Sequence, residues 1–240
     1  EQSGPASQEA RPTASALGRL LEPSLSVEQF FETVWGEAPR VFQRTNGASP
    51  LLPWDDLLGV LQRAQEPQRP AEVDLLVMSD GCPSTAYDSC HAAYLDGCSL
   101  IVNHLDKIFA PVNAVCRELR QHLPHAYVNM YLTPPESQAV APHADDRDVL
   151  VLQVAGSKLW KVYPDPPVPL PYTREQVGKS SAYPVPQEVL DAPPLVECTL
   201  RAGDVLYMPR GFVHEACTGD AAASLHLTFA MATHDWSWAS

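Results

Sequence analysis

Residues 143–163 read HADDRDVLVLQVAGSKLWKVY, and this stretch decides the fold. Residues 147–154 are apolar and rich in β-branched side chains, the tripeptide at 155–157 interrupts them, and residues 158–163 again favour a strand. Two strand-forming runs joined by a short segment that contains glycine are typical of a β-hairpin. The sequence therefore predicts a hairpin with Gly156 in its turn.

Short strands are predicted on both sides of this hairpin. They lie at residues 126–132, 195–200, 205–208, 213–217 and 224–230. Many short strands with turn residues between them indicate a β-barrel or a jelly roll. Residues 164–194 are crowded with proline, which predicts a long surface excursion between two of the strands.

The chain before residue 126 has a different pattern. Helices are predicted after the capping-box sequence at 26–29, after Pro53, and across 109–123, where apolar residues recur at helical spacing. The first residues are rich in Ser, Ala, Pro, Glu and Gln, which is typical of a flexible segment. We therefore expect one domain, with a flexible leader at 1–17, a mostly helical part at 18–125 and a β core at 126–240.

Composition excludes several classes of protein. The hydrophobic content of 45% and the charged content of 19% are those of a globular chain and not of a disordered one. No apolar run is long enough to span a bilayer. The formal net charge of −13 argues against nucleic acid as a direct partner, because phosphate binding requires clustered Lys and Arg. It suits a basic protein partner, although an acidic surface also serves solubility alone.

The six cysteines, at positions 82, 90, 98, 116, 198 and 217, contain no Cys-x-x-Cys pair. Zinc-finger and redox-motif spacings are therefore absent. We predict reduced thiols of an intracellular protein, with a secreted and disulfide-bonded protein as the alternative.

His143 and Asp145 are candidate metal ligands. They lie two residues apart at the entry to a strand, where side chains at i and i+2 point to the same face. Two histidines and one carboxylate form the facial triad that binds Fe(II) and leaves positions open for a co-substrate and O₂. His214 is the best third ligand, because it follows a turn and opens a strand on the far side of the predicted barrel.

The remaining histidines are expected outside the metal site. His226 lies within a strand and is predicted to be an inward, hydrogen-bonded core residue. Surface or loop positions are predicted for His91, His104, His122, His125 and His234.

Lys158, just past the turn at Gly156, is a candidate anchor for a dicarboxylate. An inward lysine there would pair with one carboxylate, and an Asn or Tyr would hydrogen-bond it. Asn129 and Tyr131 share one face of the preceding strand and are candidates for that contact. The alternative for Lys158 is a solvated side chain at the end of a hairpin.

Five segments together resemble the JmjC ribosomal oxygenases. They are, in chain order, NMYLTPPESQ at 129–138, HADD at 143–146, LQVAGSKLWKVY at 152–163, GDVLYMPRGFVH at 203–214 and SLHLT at 224–228. The segments around Phe30 and at 96–100 are also similar, so that the resemblance covers about residues 20–238.

The resemblance implies a mainly β fold, a double-stranded β-helix of the cupin/JmjC jelly-roll type with N-terminal helices. It also implies Fe(II), 2-oxoglutarate and O₂ as cofactors. The residues that it places at the site are His143, Asp145 and His214 on the iron, and Lys158, Asn129 and Tyr131 on 2-oxoglutarate. The implied reaction is hydroxylation of a histidine on a large-subunit ribosomal protein, since the motifs are more similar to the nucleolar histidyl branch than to the bacterial arginyl one. That branch implies a nucleus or nucleolus location, with the cytoplasm as the alternative.

The sequence departs from the family pattern at two positions. Ala144 stands where relatives usually carry an aromatic residue, and Ala230 stands where some carry a serine near the co-substrate. We expect these changes to open space in the pocket or to remove a hydrogen bond from it. The family's C-terminal dimerisation and winged-helix regions would begin near Trp236, so the oligomeric state is left open.

Two other functions compete with protein hydroxylation. A JmjC histone lysine demethylase uses the same cofactors but hydroxylates an N-methyl carbon, so that its product loses a methyl group. A non-enzymatic cupin scaffold would act through protein contacts alone, and the triad together with Lys158 argues against it.

Overall fold

The computed structural model describes residues 15–44, 51–123 and 125–231. Twelve strands lie within these ranges: β1 Arg40–Phe42, β2 Asp74–Ser79, β3 Cys82–Pro83, β4 Ser99–Asn103, β5 Ala126–Thr133, β6 His143–Ala144, β7 Asp148–Ala155, β8 Ser157–Val162, β9 Val196–Arg201, β10 Val205–Met208, β11 Val213–Cys217 and β12 Ser224–Met231. The helices are α1 Ala16–Leu21, α2 Val27–Thr33, α3 Trp54–Arg63, α4 Cys90–Leu95, α5 Ala110–Leu119 and α6 Gln187–Asp191, with 3-10 turns at Leu105–Lys107 and Thr173–Glu175.

The strands form two antiparallel sheets that pack face to face. The larger has the order β1-β10-β7-β12-β5-β4-β2-β3, and the smaller has the order β6-β11-β8-β9. Apolar side chains from both sheets, among them Val151, Trp160, Leu200 and Met208, form one buried cluster between them. The four-on-four arrangement of β10-β7-β12-β5 against the smaller sheet is a jelly roll, so the predicted double-stranded β-helix is confirmed.

The predicted hairpin at Gly156 is wrong, although both of its strands exist. β7 pairs with β10 and β12 in the larger sheet, whereas β8 pairs with β11 and β9 in the smaller one. Both edges of β7 are therefore already occupied, and the chain must cross to the other sheet. Gly156 makes this corner at φ +65°, where a β-carbon would collide with the carbonyl of Ala223.

In the described residues of the N-terminal part, the three predicted helices are joined by α1, α4 and four strands that the sequence did not predict. The Ser26 capping box begins α2, and α3 and α5 occupy the other two predicted positions. β1 joins the larger sheet at one edge, and β4, β2 and β3 extend it at the other. The predicted leader also ends too late, because Ala16 and Leu17 are buried in α1; residues 1–14 lie outside the described part of the chain.

A second hydrophobic core lies on the other face of the larger sheet. Apolar residues of α1, α2, α3 and α5, including Leu17, Phe30, Val60 and Cys116, pack there against strand residues such as Phe229. All six cysteines are free, as the sequence predicted. No helix in the described ranges is long and apolar enough to cross a membrane. The helices thus support one sheet from behind and leave the space between the two sheets for the site.

Candidate active site

The register of the smaller sheet brings the predicted ligands together. β11 pairs with β6 so that His214 lies directly opposite His143, and the two ring centroids are 4.4 Å apart. Asp145 follows β6 immediately. Its Oδ1 lies 3.7 Å from His143 Nε2, and its Oδ2 lies 3.8 Å from His214 Nε2. One ligand atom from each of the three residues lies within 4.8 Å of the others.

Backbone carbonyls orient both imidazole rings. His143 Nδ1 lies 2.7 Å from the carbonyl oxygen of Ala141, and His214 Nδ1 lies 3.1 Å from that of Phe212. Because a carbonyl only accepts, each Nδ1 carries the proton, and each Nε2 presents its lone pair to the centre of the triad. Two imidazole nitrogens and a carboxylate directed at one point fit a divalent metal with the preferences of Fe(II).

The charge state of the triad also suits a cation. Burial lowers the pKa of His143 and of His214 below the ordinary value, so both rings are neutral. Burial alone would raise the pKa of Asp145, but the ammonium of Lys179 outweighs it and holds that pKa well below its usual range. The site therefore presents two neutral nitrogens and one anionic oxygen.

A cavity between the sheets extends inward from the triad. Its remaining lining is mostly apolar and aromatic, and comprises Tyr131, Ala139, Val140, Val149, Val151, Lys158, Trp160, Met208, Glu215, Ala216, His226 and Thr228. A narrow, mostly apolar space with a few polar groups is typical of a small-molecule site.

Lys158 places a buried ammonium group in this cavity. The residue is only 2% exposed, and its Nζ donates to Thr133 Oγ1 at 2.9 Å. It forms no ion pair with any residue in the described part of the chain. Burial lowers the pKa of Lys158 to about 7, because the charged form is desolvated without a counter-anion. An anionic ligand in the cavity would supply that counter-charge.

The family of the chain follows from comparison with known proteins. The JmjC domain family matches residues 104–238, which include the triad and Lys158. The chain belongs to the JmjC domain family. The bifunctional lysine-specific demethylase and histidyl-hydroxylase NO66 of Drosophila grimshawi is 33% identical over 225 residues, which is 90% of this chain and 30% of that relative.

Solved structures show the same fold. The structure of E. coli YcfD covers 87% of this chain and 53% of that protein, with a TM-score of 0.62 at 23% identity. A second structure, of YcfD as a ribosomal oxygenase in complex with cobalt and 2-oxoglutarate, has a TM-score of 0.59 at 23% identity. It covers 89% of this chain and 54% of YcfD. The JmjC domain described here thus spans about half the length of that protein and a third or less of the NO66 relatives.

Asn129 and Tyr131 are the two residues predicted to bind 2-oxoglutarate together with Lys158 in the JmjC domain, and one of them lies in the cavity. Tyr131 lines it, and burial raises the pKa of its hydroxyl. Asn129 is not part of the lining; its Oδ1 accepts a hydrogen bond from the backbone N–H of His104 at 3.1 Å. Asn129 slightly lowers the pKa of the Tyr131 hydroxyl, so its connection to the cavity is indirect.

Lys179 is the site residue that the sequence did not predict. It comes from the proline-rich segment 164–194, and its Nζ lies 3.0 Å from Asp145 Oδ1. The same segment hydrogen-bonds Asp146 through Thr173, at 2.5 Å. The segment is therefore a wall of the site and not merely a surface excursion. No spacing in the sequence indicated this, because the contact spans 34 residues of irregular chain.

The two departures from the family pattern do not open the cavity. Ala144 points away from the triad and is buried against Tyr163, Val177 and Val213. Ala230 packs in the apolar cluster between the sheets, and neither alanine lines the cavity. Alternation along β6 explains the first result, since the residue between His143 and Asp145 must face the opposite side.

The other histidines differ in part from expectation. His91, His122 and His125 are exposed, as predicted. His104 is half-buried, and its ring stacks on Tyr127 with centroids 4.4 Å apart. His226 is inward and buried, but it forms no hydrogen bond with the described residues. His234 and Trp236 lie outside the described residues.

Proposed function

We propose that this JmjC domain is an Fe(II)- and 2-oxoglutarate-dependent oxygenase that hydroxylates a protein side chain. One observation carries the proposal: a His-Asp-His triad and a buried lysine without a counter-anion share one cavity. The triad fits Fe(II), and the lysine fits the far carboxylate of a short dicarboxylate. The E. coli ribosomal oxygenase of the same fold, described in complex with cobalt and 2-oxoglutarate, supports this pair of ligands.

Each residue has a distinct part in the proposed reaction. His143, Asp145 and His214 would hold the iron, and Lys158 would bind the far carboxylate of 2-oxoglutarate beside Tyr131. When bound, the iron uses O₂ and 2-oxoglutarate to place one oxygen atom into a substrate C–H bond, releasing succinate and CO₂. The protein orients the co-substrates and, through the apolar lining of the cavity, limits access of water.

The proposed substrate is a histidine of a large-subunit ribosomal protein, with the nucleus or nucleolus as the proposed location. The Drosophila relative is named a histidyl-hydroxylase, and the E. coli protein is named a ribosomal oxygenase. The net charge of −13 favours a basic polypeptide over nucleic acid. Lysine demethylation, for example on a histone, is the second candidate, because the name of the same relative includes it.

The test is turnover of peptides in the presence of Fe(II) and 2-oxoglutarate. Histidine-containing peptides of large-subunit ribosomal proteins, their His→Ala versions and methyl-lysine histone peptides are compared by succinate release and mass spectrometry. We expect a histidine to gain one oxygen atom with release of succinate. His143→Ala should abolish turnover, whereas His91→Ala, at an exposed position outside the cavity, should retain it.

The outcomes separate the candidates. Loss of a methyl group from lysine would establish the demethylase instead, and oxygen on an arginine would change the target residue but not the chemistry. If no peptide is modified and the wild-type protein releases no succinate, the oxygenase proposal is wrong and the scaffold alternative stands.

A further inference from the structure

His226 is a buried polar residue in the cavity that the proposed reaction does not yet use. It lies on β12, is 2% exposed, and lines the same cavity as Lys158. Its Nδ1 is fully enclosed without a hydrogen-bond partner among the described residues. Nε2 has no partner among them either, and it is the nitrogen that a ligand in the cavity would meet. Buried polar groups in folded proteins are nearly always hydrogen-bonded, so an imidazole without a partner beside a cavity indicates a missing ligand.

Neighbouring rings hold His226 in one orientation. The register of β12 and β5 places His226 directly opposite Tyr131, and their rings stack at 4.6 Å with an angle of 5°. Trp160 of β8 meets the imidazole edge-on at 5.4 Å. These contacts restrict rotation of the ring, so a hydrogen bond from it would require little loss of side-chain entropy.

The protonation state of His226 makes it a single donor. Burial, and to a smaller degree the ammonium of Lys158, lower the pKa of His226 well below its ordinary value. A neutral imidazole has one N–H and one acceptor nitrogen. Lys158 lies beside the ring and attracts an anion such as a carboxylate. Because a carboxylate only accepts hydrogen bonds, the N–H of His226 is the group that would bind it.

We infer that His226 is a second recognition residue for the carboxylate that Lys158 binds. Lys158 supplies the charge, His226 supplies one N–H, and the stack with Tyr131 fixes the direction of that N–H. Trp160 is a positioning residue in this arrangement. The ligand class is a short dicarboxylate whose other end reaches the triad. The inference rests on the proposed function and adds to it a second residue, besides Lys158, that distinguishes a dicarboxylate from a 2-oxo acid with only one carboxylate.

The test compares two 2-oxo acids that differ in the far carboxylate. Binding of 2-oxoglutarate and of pyruvate to the Mn(II)-loaded protein is measured by calorimetry, without O₂ and without substrate. In His226→Phe, which retains an aromatic ring for the stack, 2-oxoglutarate should bind about tenfold more weakly, as expected when one hydrogen bond to a charged group is lost. Pyruvate and Mn(II) should bind as in the wild type, and His226→Gln should recover part of the loss because it restores a donor.

His104→Phe is the matched control. His104 is also stacked on a tyrosine, and its buried Nδ1 also has no partner among the described residues, but it does not line the cavity. This variant should bind 2-oxoglutarate as the wild type does. Thermal unfolding of each variant is recorded to show that it is folded.

Three results would overturn the inference. Unchanged 2-oxoglutarate binding in folded His226→Phe would leave His226 a core residue. An equal loss for 2-oxoglutarate and pyruvate would mean that the ring shapes the cavity without recognising the far carboxylate. If the wild-type protein binds Mn(II) but no 2-oxoglutarate, the proposed function itself fails and the inference fails with it.

Discussion

Replacement of Lys158 by methionine should strengthen the fold of the metal-free protein and weaken co-substrate binding. The ammonium is buried, Thr133 is its single hydrogen-bond partner within the described ranges, and its pKa is lowered from 10.5 to about 7. Because an unpaired buried charge is costly, an apolar side chain of similar length in its place should stabilise the fold by about 1–4 kcal/mol, the range found when buried ion pairs are replaced by apolar residues. The same change removes the charge-assisted contact of roughly 1.5–3 kcal/mol that we propose for Lys158 and 2-oxoglutarate, so the dissociation constant of 2-oxoglutarate should rise about ten- to hundredfold.

The pH dependence of this effect has a definite sign. Because the pKa of Lys158 is lower in the folded state than in the unfolded one, the unfolded chain binds the extra proton between pH 7 and pH 10.5. The buried charge of Lys158 therefore lowers the free energy of unfolding of the wild type, and this penalty is fully present below pH 7. The penalty shrinks by up to about 1.4 kcal/mol per pH unit above it. The gain in stability from Lys158→Met should accordingly be largest near pH 7 and decrease toward pH 10.

The assay is urea unfolding of the metal-free protein at pH 7 and at pH 9, together with calorimetric 2-oxoglutarate binding to the Mn(II)-loaded protein. Lys161→Met is the matched control, since Lys161 lies on the same strand with a side chain 37% exposed and an ion pair to Glu215 at 3.5 Å. Exposed pairs of this kind contribute about 0–1 kcal/mol. A Lys158→Met protein that is less stable at pH 7, with 2-oxoglutarate affinity within about threefold of the wild type, would refute the reasoning.

Three further changes test how the site is supported. Gly178→Ala should displace the segment that carries Lys179, because the new β-carbon at φ +79° would lie 2.8 Å from a backbone carbon of β6. The affinity for Mn(II) should therefore change. An unaltered affinity would contradict the close packing. Asp106→Ala should lower the free energy of unfolding by roughly 1–3 kcal/mol in urea titrations, because it leaves the buried N–H of Val128 without its acceptor and breaks a 2.8 Å ion pair with the partly exposed Arg120. Tyr207→Phe should lower the free energy of unfolding by roughly 1–3 kcal/mol in the same measurement, since the lost hydroxyl donates to Asp148. A decrease below about 0.5 kcal/mol, on the order of a surface substitution, would mean that this hydrogen bond contributes little.

Local sequence determined much of the site. Parity along a strand placed His143 and Asp145 on one face, and the turn before His214 placed that histidine at the start of another strand. The strands β9 to β12 and the capping box of α2 follow from alternation, apolar runs and one pattern of four residues. These features involve neighbours within about ten residues, for which backbone geometry leaves few choices.

Other features depend on which strands pair, and the sequence did not reveal them. β7 and β8 lie in different sheets because β10 and β12 occupy both edges of β7, and neither partner is adjacent to β7 in the chain. β2 and β4 are short apolar runs without a clear helical or strand periodicity, so the sequence does not distinguish helix from strand there. They are strands because they pair at one edge of the larger sheet.

Tertiary structure alone decided which charged groups lie close together and which buried polar groups lack a hydrogen-bond partner among the described residues. Lys179 reaches Asp145 from an irregular segment, and His226 meets Tyr131 only because β12 pairs with β5 in one register. Sequence by itself determined the kinds of side chain available and the faces that they share within each strand. Closure of the two sheets decided which of those side chains meet and which lose water, since burial and pairing depend on contacts distant in the chain.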